Sequence, residues 1–301
     1  MLTNLLLSLI LVAQIFTPSA PIDKNGAVLG AQTNNNGEVA APVRITNQIL
    51  DLDISADAAL AIDVESGEIL YEKNKDAVHP IASISKLMAA LVLVDHNPNW
   101  QNKIHLSYFQ DSSGKEYKFS AEENLTAEQI FNIALVGSIN PAVNLFPKLS
   151  GLDKNSFISA MNKKAVTLNL KNTHFEDIAG LSAKNISTAT EVVILLQEAL
   201  KNEKIYQAIS AKNYEFQTET NSYQIQNTND LLNHDSFKIL AGKTGSTDEA
   251  GFCLTTLGEI HNRKIITVIL GADSEANRFQ DTKALYWWVE NNFNYQPAIN
   301  N

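Results

Sequence analysis

An α+β fold follows from the order of the elements that the sequence suggests. Short strand-like runs open the folded part, a block of helical periodicity fills its middle, and three strand-like runs and one helix close it. Segregation of this kind differs from the βαβ alternation of a doubly wound parallel sheet. The expected arrangement is an antiparallel sheet flanked by helices. An all-helical region is inserted between its strands, with a cleft where the two parts meet. The 301 residues are 45% hydrophobic and 19% charged, which is enough apolar material for a large core without disulfide or metal staples.

The elements follow in chain order. Residues 5–16 are an almost unbroken apolar run, followed by Thr17-Pro18-Ser19-Ala20. This reads as a secretory signal over residues 1–20 with a cleavage point after Ala20, although Met1-Leu2-Thr3-Asn4 carries no Lys or Arg. The run is shorter than the roughly 20 residues that a membrane span needs. An uncleaved N-terminal anchor is the alternative. Either way the protein is expected to act outside the cytoplasmic membrane. Residues 21–45 read as a disordered linker, with Asn34-Asn35-Asn36, three glycines and two prolines. One folded domain is expected over residues 46–295, with a tail at 296–301.

Within that domain, residues 59–64 and 68–71 flank Glu65-Ser66-Gly67 and predict a β-hairpin. Residues 83–94 are apolar and free of Gly and Pro, which predicts a buried helix. Thr126 and Gln129 make a capping box ahead of a helix at 127–136. Pro141 suits the first position of a further helix that runs through residue 146. Residues 157–166 and 189–200 have helical periodicity, whereas 214–226 alternates as strands do. Strand-like runs follow at 237–241, 252–259 and 264–270, with His261-Asn262 at the turn between the last two. An amphipathic helix at 277–293 carries Trp287 and Trp288, of which at most one can face the core.

Composition narrows the function classes. Lys plus Arg total 23 against 33 Asp plus Glu, so the formal charge is −10, the wrong sign for a general nucleic-acid binder. The single cysteine, Cys253, excludes an intrachain disulfide and cysteine-based zinc sites, and reads as a small buried hydrophobe. The six histidines show neither H-x-x-x-H nor H-E-x-x-H spacing, which argues against a zinc peptidase. No Walker A loop precedes Gly242-Lys243-Thr244, because Phe237 stands where its first glycine would be.

Three short motifs could carry chemistry. Ser83-Ile84-Ser85-Lys86 puts a hydroxyl and an amine on one face at a helix start. A serine needs a base to become a nucleophile, and a lysine serves when burial or a second cation lowers its pKa. The apolar residues that follow Lys86 supply burial. Ser138-Ile139-Asn140 sets a hydroxyl beside an amide between two predicted helices. Lys243-Thr244-Gly245 lies in an edge-like strand, where a ligand could approach the backbone and a carboxylate would find a cation and a hydroxyl. Each motif alone is weak, since helix capping or a surface turn explains it equally well.

Together, and in this order, they resemble the S-x-x-K, S-D-N and K-T-G set of penicillin-binding proteins and class A β-lactamases. The likeness extends through the nucleophile helix at 79–90, Met161-Asn162-Lys163-Lys164-Ala165, the run 170–175, Asn227-Thr228-Asn229-Asp230-Leu231-Leu232, the run 242–254 and Asp281-Thr282-Lys283-Ala284-Leu285. Over roughly residues 58–293 the chain is similar to the serine D-alanyl-D-alanine carboxypeptidases of the peptidase S11 family. That resemblance implies a β-lactamase/transpeptidase-like fold. It also implies an enzyme that removes the terminal D-alanine from peptidoglycan stem peptides ending in D-Ala-D-Ala, with β-lactams as inhibitors and no metal or organic cofactor. Ser83 would be the acylated nucleophile and Lys86 its base. Ser138 would carry the proton to the leaving amine, and Asn140 would bind a substrate amide. Lys243 and Thr244, beside Gly245 and Ser246, would hold the carboxylate, with the backbone N–H groups of Ser83 and Ser246 as the oxyanion hole, and Lys86 and Lys243, brought into one site, are expected to depress one another's pKa.

Some positions depart from the family pattern. Ile139 and Pro141 stand where a small residue and an acid are usual, and Ile139 is expected to narrow the cleft. Glu176-Asp177-Ile178-Ala179-Gly180-Leu181 replaces an Asn-Pro-x-Gly-Leu segment. Glu176 lacks the Glu-x-x-Leu-Asn frame of a deacylating β-lactamase glutamate and reads as an exposed loop acid. The chain stops soon after its last helix, so any membrane attachment is expected through the N-terminal segment. A D,D-endopeptidase, a β-lactamase and a non-catalytic wall-binding relative are the competing readings.

Overall fold

The computed structural model describes residues 40–45, 52–105, 108–110, 116–118 and 123–295. The signal segment, most of the linker and the tail lie outside the described residues. The expected linker gives way earlier than residue 45, because Val43–Arg44 pairs antiparallel with Phe293–Asn294.

Five antiparallel strands form the main sheet. They are β1 (Ala58–Asp63), β2 (Ile69–Lys73), β3 (Lys238–Thr247), β4 (Gly251–Ile260) and β5 (Arg263–Ala272), in the spatial order β3-β4-β5-β1-β2. Both predicted hairpins are present. Gly67 has φ +74 in the first, and its N–H closes the turn on the Asp63 carbonyl at 2.9 Å. His261 and Asn262 both have positive φ, 48 and 64, as the two-residue turn between β4 and β5 requires.

Among the described residues eight α-helices accompany the sheet: α1 (Ser85–Asp95), α2 (Ala127–Val136), α3 (Asn140–Val143), α4 (Phe146–Ser150), α5 (Lys154–Thr167), α6 (Ala189–Leu200), α7 (Glu203–Ser210) and α8 (Glu275–Asn292). The Thr126 capping box is complete, with Gln129 N–H on Thr126 Oγ1 at 3.1 Å and Thr126 N–H on Gln129 Oε1 at 2.8 Å. The single helix expected from Pro141 to residue 146 is instead the two pieces α3 and α4. Pro147 has no N–H to donate, and its ring excludes a helical carbonyl four residues back, so the chain breaks and restarts. Helix α7 has no counterpart in the sequence reading. The Asn202 side chain starts it by accepting from the N–H groups of Lys204 and Ile205 at 3.1 and 3.2 Å. The alternating run at 214–226 forms its own hairpin, Asn213–Gln217 with Ser222–Gln226, outside the main sheet.

Both faces of the sheet are covered. Ala58 and Leu60 of β1 pack into the large core that also holds α1, α2, α5 and α6. Ala59 and Ala61 face the other way, toward Leu285, Tyr286 and Val289 of α8. Two covered faces explain why β1 and β5 read as continuous apolar runs. Every residue of α1 from Ser85 to Leu93 is buried, so the helix threads the helical region and is apolar all round. Trp288 is buried under β2 while Trp287 is exposed.

One buried ion pair braces the β1–β5 side of this frame. Arg263 Nε donates to Asp63 Oδ2 at 2.9 Å and its Nη2 to Oδ1, and Ser66 adds its N–H and Oγ to Asp63 at 2.8 and 2.6 Å. Arg263 Nη1 also reaches the Ala40 carbonyl at 3.0 Å, which ties the N-terminal strand to the sheet. Removing one member leaves a buried charge alone. Asp63→Ala is expected to lower stability by about 3–5 kcal/mol in urea unfolding.

Candidate active site

The nucleophile candidate sits where strand geometry hands over to helix. Residues Ala82–Ile84 form a 3₁₀ turn that runs directly into α1. Ala82 takes φ +45, a left-handed conformation costly for a residue with a Cβ and held here by its surroundings. The turn leaves Ser83 partly exposed and puts Lys86 one turn along α1, fully buried.

Lys86 Nζ meets three oxygens: Ser83 Oγ at 2.6 Å, Asn140 Oδ1 at 2.7 Å and the Ala179 carbonyl at 2.7 Å. Asn140 opens α3, and the residue two before it, Ser138, has φ +57 in the link from α2. Across the cleft, β3 contributes Lys243, whose Nζ donates to Ser138 Oγ at 2.7 Å and to the Thr244 carbonyl at 3.1 Å. Thr244 Oγ1 lies 2.5 Å from Thr228 Oγ1. Gly245 is where β3 presses on the nucleophile turn. A Cβ there would stand 2.8 Å from the Ile81 carbonyl and 3.0 Å from Ser83 N. Ser246, the next residue, is exposed at the rim. The eight residues singled out from the sequence thus gather on one seam between the sheet and the inserted helices.

Burial dominates the electrostatics. It lowers Lys86 to about 7, against an opposing pull from the Asp177 carboxylate. It also lowers Lys243 well below the usual lysine range, helped by the positive charges of Lys86 and Arg278. Of the mutual depression expected of the two lysines one half is present, since Lys86 lowers Lys243, and the other half is not. Desolvation leads at both, and the charge resolved at Lys86 is an acid that works in the other direction.

Ile139 does not narrow the cleft. Its side chain is fully buried in the main core and packs beneath Gly137. Glu176 accepts from Ser182 Oγ and Lys184 Nζ of its own loop at 2.5 and 2.9 Å, bonds that hold it below the usual glutamate range. Cys253 is buried opposite Gly245, and burial pushes its thiol up to about 12. Among the described residues no cluster of three or more His, Cys, Asp or Glu could hold a metal.

The sequence reading missed three participants: the Ala179 carbonyl, Thr228 and Asp177. Carbonyls carry no sequence signal. Asp177 did carry one, an acid three residues before a glycine, the pattern of a side chain that collects the N–H groups of a turn.

Comparison with known proteins agrees with this geometry. The model of the peptidase S11 family, D-alanyl-D-alanine carboxypeptidase, matches residues 43–274. The chain is 31% identical over 245 residues to the D-alanyl-D-alanine endopeptidase of Pseudomonas aeruginosa, covering 80% of this chain and 79% of that one. It is 30% identical over 248 residues to the D-alanyl-D-alanine carboxypeptidase DacF of Bacillus subtilis, covering 78% and 62%. Among solved structures, the Streptomyces K15 DD-transpeptidase shares the fold with a TM-score of 0.72 at 24% identity, over 80% of this chain and 99% of that one. Penicillin-binding protein D2 of Listeria monocytogenes, solved in its ampicillin-bound form, has a TM-score of 0.68 at 30% identity, over 80% and 99%. With the family model spanning most of the folded part and the three motifs meeting on one seam, the chain belongs to the peptidase S11 family of D-alanyl-D-alanine carboxypeptidases, serine hydrolases with a β-lactamase/transpeptidase-like fold.

Proposed function

We propose that the protein removes the terminal D-alanine from peptidoglycan stem peptides through an acyl-enzyme on Ser83. The observation that carries this is the set of partners at Lys86. A neutral amine has two hydrogens and one lone pair. Asn140 Oδ1 and the Ala179 carbonyl can only accept, so they take the two hydrogens. The lone pair is left for Ser83 Oγ at 2.6 Å. With its pKa near 7, Lys86 is neutral often enough at physiological pH to take the hydroxyl proton.

Ser83 then attacks the carbonyl between the two D-alanines. The developing oxyanion is received by the backbone N–H groups of Ser83 and Ser246. Ser138, bonded to Lys243, gives its hydroxyl proton to the departing D-alanine amine and takes in exchange the proton that Lys86 received from Ser83. The Asn140 amide nitrogen is free of Lys86, which occupies only Oδ1, and it binds a substrate amide. Lys243 and Thr244, with Gly245 and Ser246 beside them, hold the terminal carboxylate. An arriving anion favours the charged form of Lys243 and so offsets the depression that burial imposes. Water completes the cycle. β-Lactams acylate Ser83 in place of the peptide.

The reaction takes place outside the cytoplasmic membrane, reached through the signal-like segment at residues 1–20 or with that segment kept as an anchor. No described helix is long and apolar enough to cross a membrane. A second reading, D,D-endopeptidase, has its own support. Relatives from Pseudomonas aeruginosa, Escherichia coli and Haemophilus influenzae bear that name at 31%, 30% and 28% identity.

Three outcomes are expected. Intact mass after benzylpenicillin shows a one-equivalent adduct in the wild type and none in Ser83→Ala; an adduct on Ser83→Ala refutes the assignment. The acylation rate climbs through about pH 7, because the neutral form of Lys86 is the active one and prevails above its pKa. Lys86→Ala lowers that rate by about 10²–10⁴-fold. Monomeric pentapeptide muropeptide and a cross-linked dimer, offered in parallel and read by D-alanine release and dimer loss, separate the two readings. Faster D-alanine release supports the carboxypeptidase, and faster dimer loss the endopeptidase.

A further inference from the structure

The loop at 176–185 is folded around one carboxylate. Asp177 Oδ1 accepts the N–H groups of Ala179, Gly180 and Leu181 at 2.8, 2.6 and 3.2 Å, and Oδ2 accepts that of Ser182 at 2.5 Å. This one side chain thereby fixes the peptide planes on both sides of Ala179 and Gly180. The Ala179 carbonyl that results points at Lys86 Nζ, 2.7 Å away. Gly180, at φ +84, is pressed on the nucleophile turn: a Cβ there would lie 1.9 Å from the Ala82 carbonyl and 2.9 Å from Ser83 N.

The backbone of Asp177 is itself anchored to α1. Asn185, fully buried, accepts the N–H groups of Glu176 and Asp177 on Oδ1 at 2.9 and 3.0 Å. Its Nδ2 reaches the Asp177 carbonyl at 2.9 Å and Ser85 Oγ at 3.1 Å. The contacts close a ring: Ser85, Asn185, Asp177, Ala179 and Lys86, the neighbour of Ser85. The loop is thus braced against the residue next to the base as well as against the base.

We infer that Asp177 is a positioning residue for the acylation reaction, holding the Ala179 carbonyl on Lys86 and supplying a negative charge that acts on the amine. This rests on Lys86 being the base. The charged groups around Lys86 are Asp177 on the loop and Lys243 on β3, with Arg278 of α8 acting on Lys243 in turn. Burial opposes a proton on Lys86, and Asp177 favours one. The acid therefore keeps the amine basic enough to take the Ser83 proton. Without it the lysine would be neutral at lower pH but a weaker base.

The test is the pH profile of benzylpenicillin acylation for wild type, Asp177→Asn, Asp177→Glu and a control, Glu176→Gln, each checked for folding by thermal melting. Asp177→Asn is expected to move the rising limb toward acid by about half a pH unit or more, with a lower plateau. Asp177→Glu, which keeps the charge but displaces the carbonyl, is expected to lower the plateau and leave the limb near its wild-type position. Glu176→Gln leaves both unchanged. A limb that stays put in folded Asp177→Asn overturns the proposal, whatever happens to the plateau. If Asp177→Asn does not fold, Asp177→Glu decides: a shifted limb overturns the proposal and an unshifted one supports it. Failure of both variants to fold also overturns it, since the residue then serves the fold alone. A wild-type profile with no limb near pH 7 is a different failure, that of Lys86 as base.

Discussion

A cation removed from water must find oxygens or give up its proton, and Lys86 is built around that requirement. Its nitrogen is fully buried, and its three oxygen partners come from three separate parts of the chain: the nucleophile turn, the start of α3, and the loop after α5. A shift in any of them would leave a buried polar group short of a partner, at a cost of about 1–3 kcal/mol or more. The nucleophile turn, α3 and the loop after α5 therefore hold their relative positions partly through one amine. The strained φ values at Ala82 and Ser138 fall in or just before two of the segments it joins, where the surroundings can hold them.

Two lysine–serine pairs face each other across the seam, Lys86 with Ser83 and Lys243 with Ser138. They look alike in the sequence and differ in setting. Burial lowers both, but Lys86 has an acid acting against that fall, whereas Lys243 has only cations among its resolved charges, and they add to it. One amine is thereby poised near neutrality. The other is short of a counter-charge until an anion arrives.

Much of this could be read from residues alone. The α+β order, both hairpins, the Thr126 cap and the K-T-G strand rest on local signals such as glycine or asparagine at turns, capping pairs and period-two or period-3.6 patterning. Ser83, Lys86 and the two motifs facing them were singled out by their order and by the family likeness that this order carries. What stayed hidden depends on the third dimension. The break at Pro147 and the start of α7 at Asn202 are contests between local preferences that packing decides. Ile139 looked like a cleft residue because its neighbours line the cleft, yet the positive φ of Ser138 rotates it into the core. The direction of the charge effect at Lys86 needed Asp177, which is 91 positions away in sequence.

The K-T-G strand also carries a hazard. β3 is an edge of the sheet, and a bare edge offers its backbone to any extended chain, which is how folded proteins come to aggregate. Here the 3₁₀ turn of Ser83 is laid against the strand at Gly245, and Thr228 is bonded to Thr244. The opposite edge, β2, is only five residues long and ends in Glu72 and Lys73. The chain thus guards its outer strands by shortness, charge and cover, and the cover on β3 is the nucleophile turn. A strand of another molecule that reaches this edge at Gly245 meets a folded turn in place of open backbone.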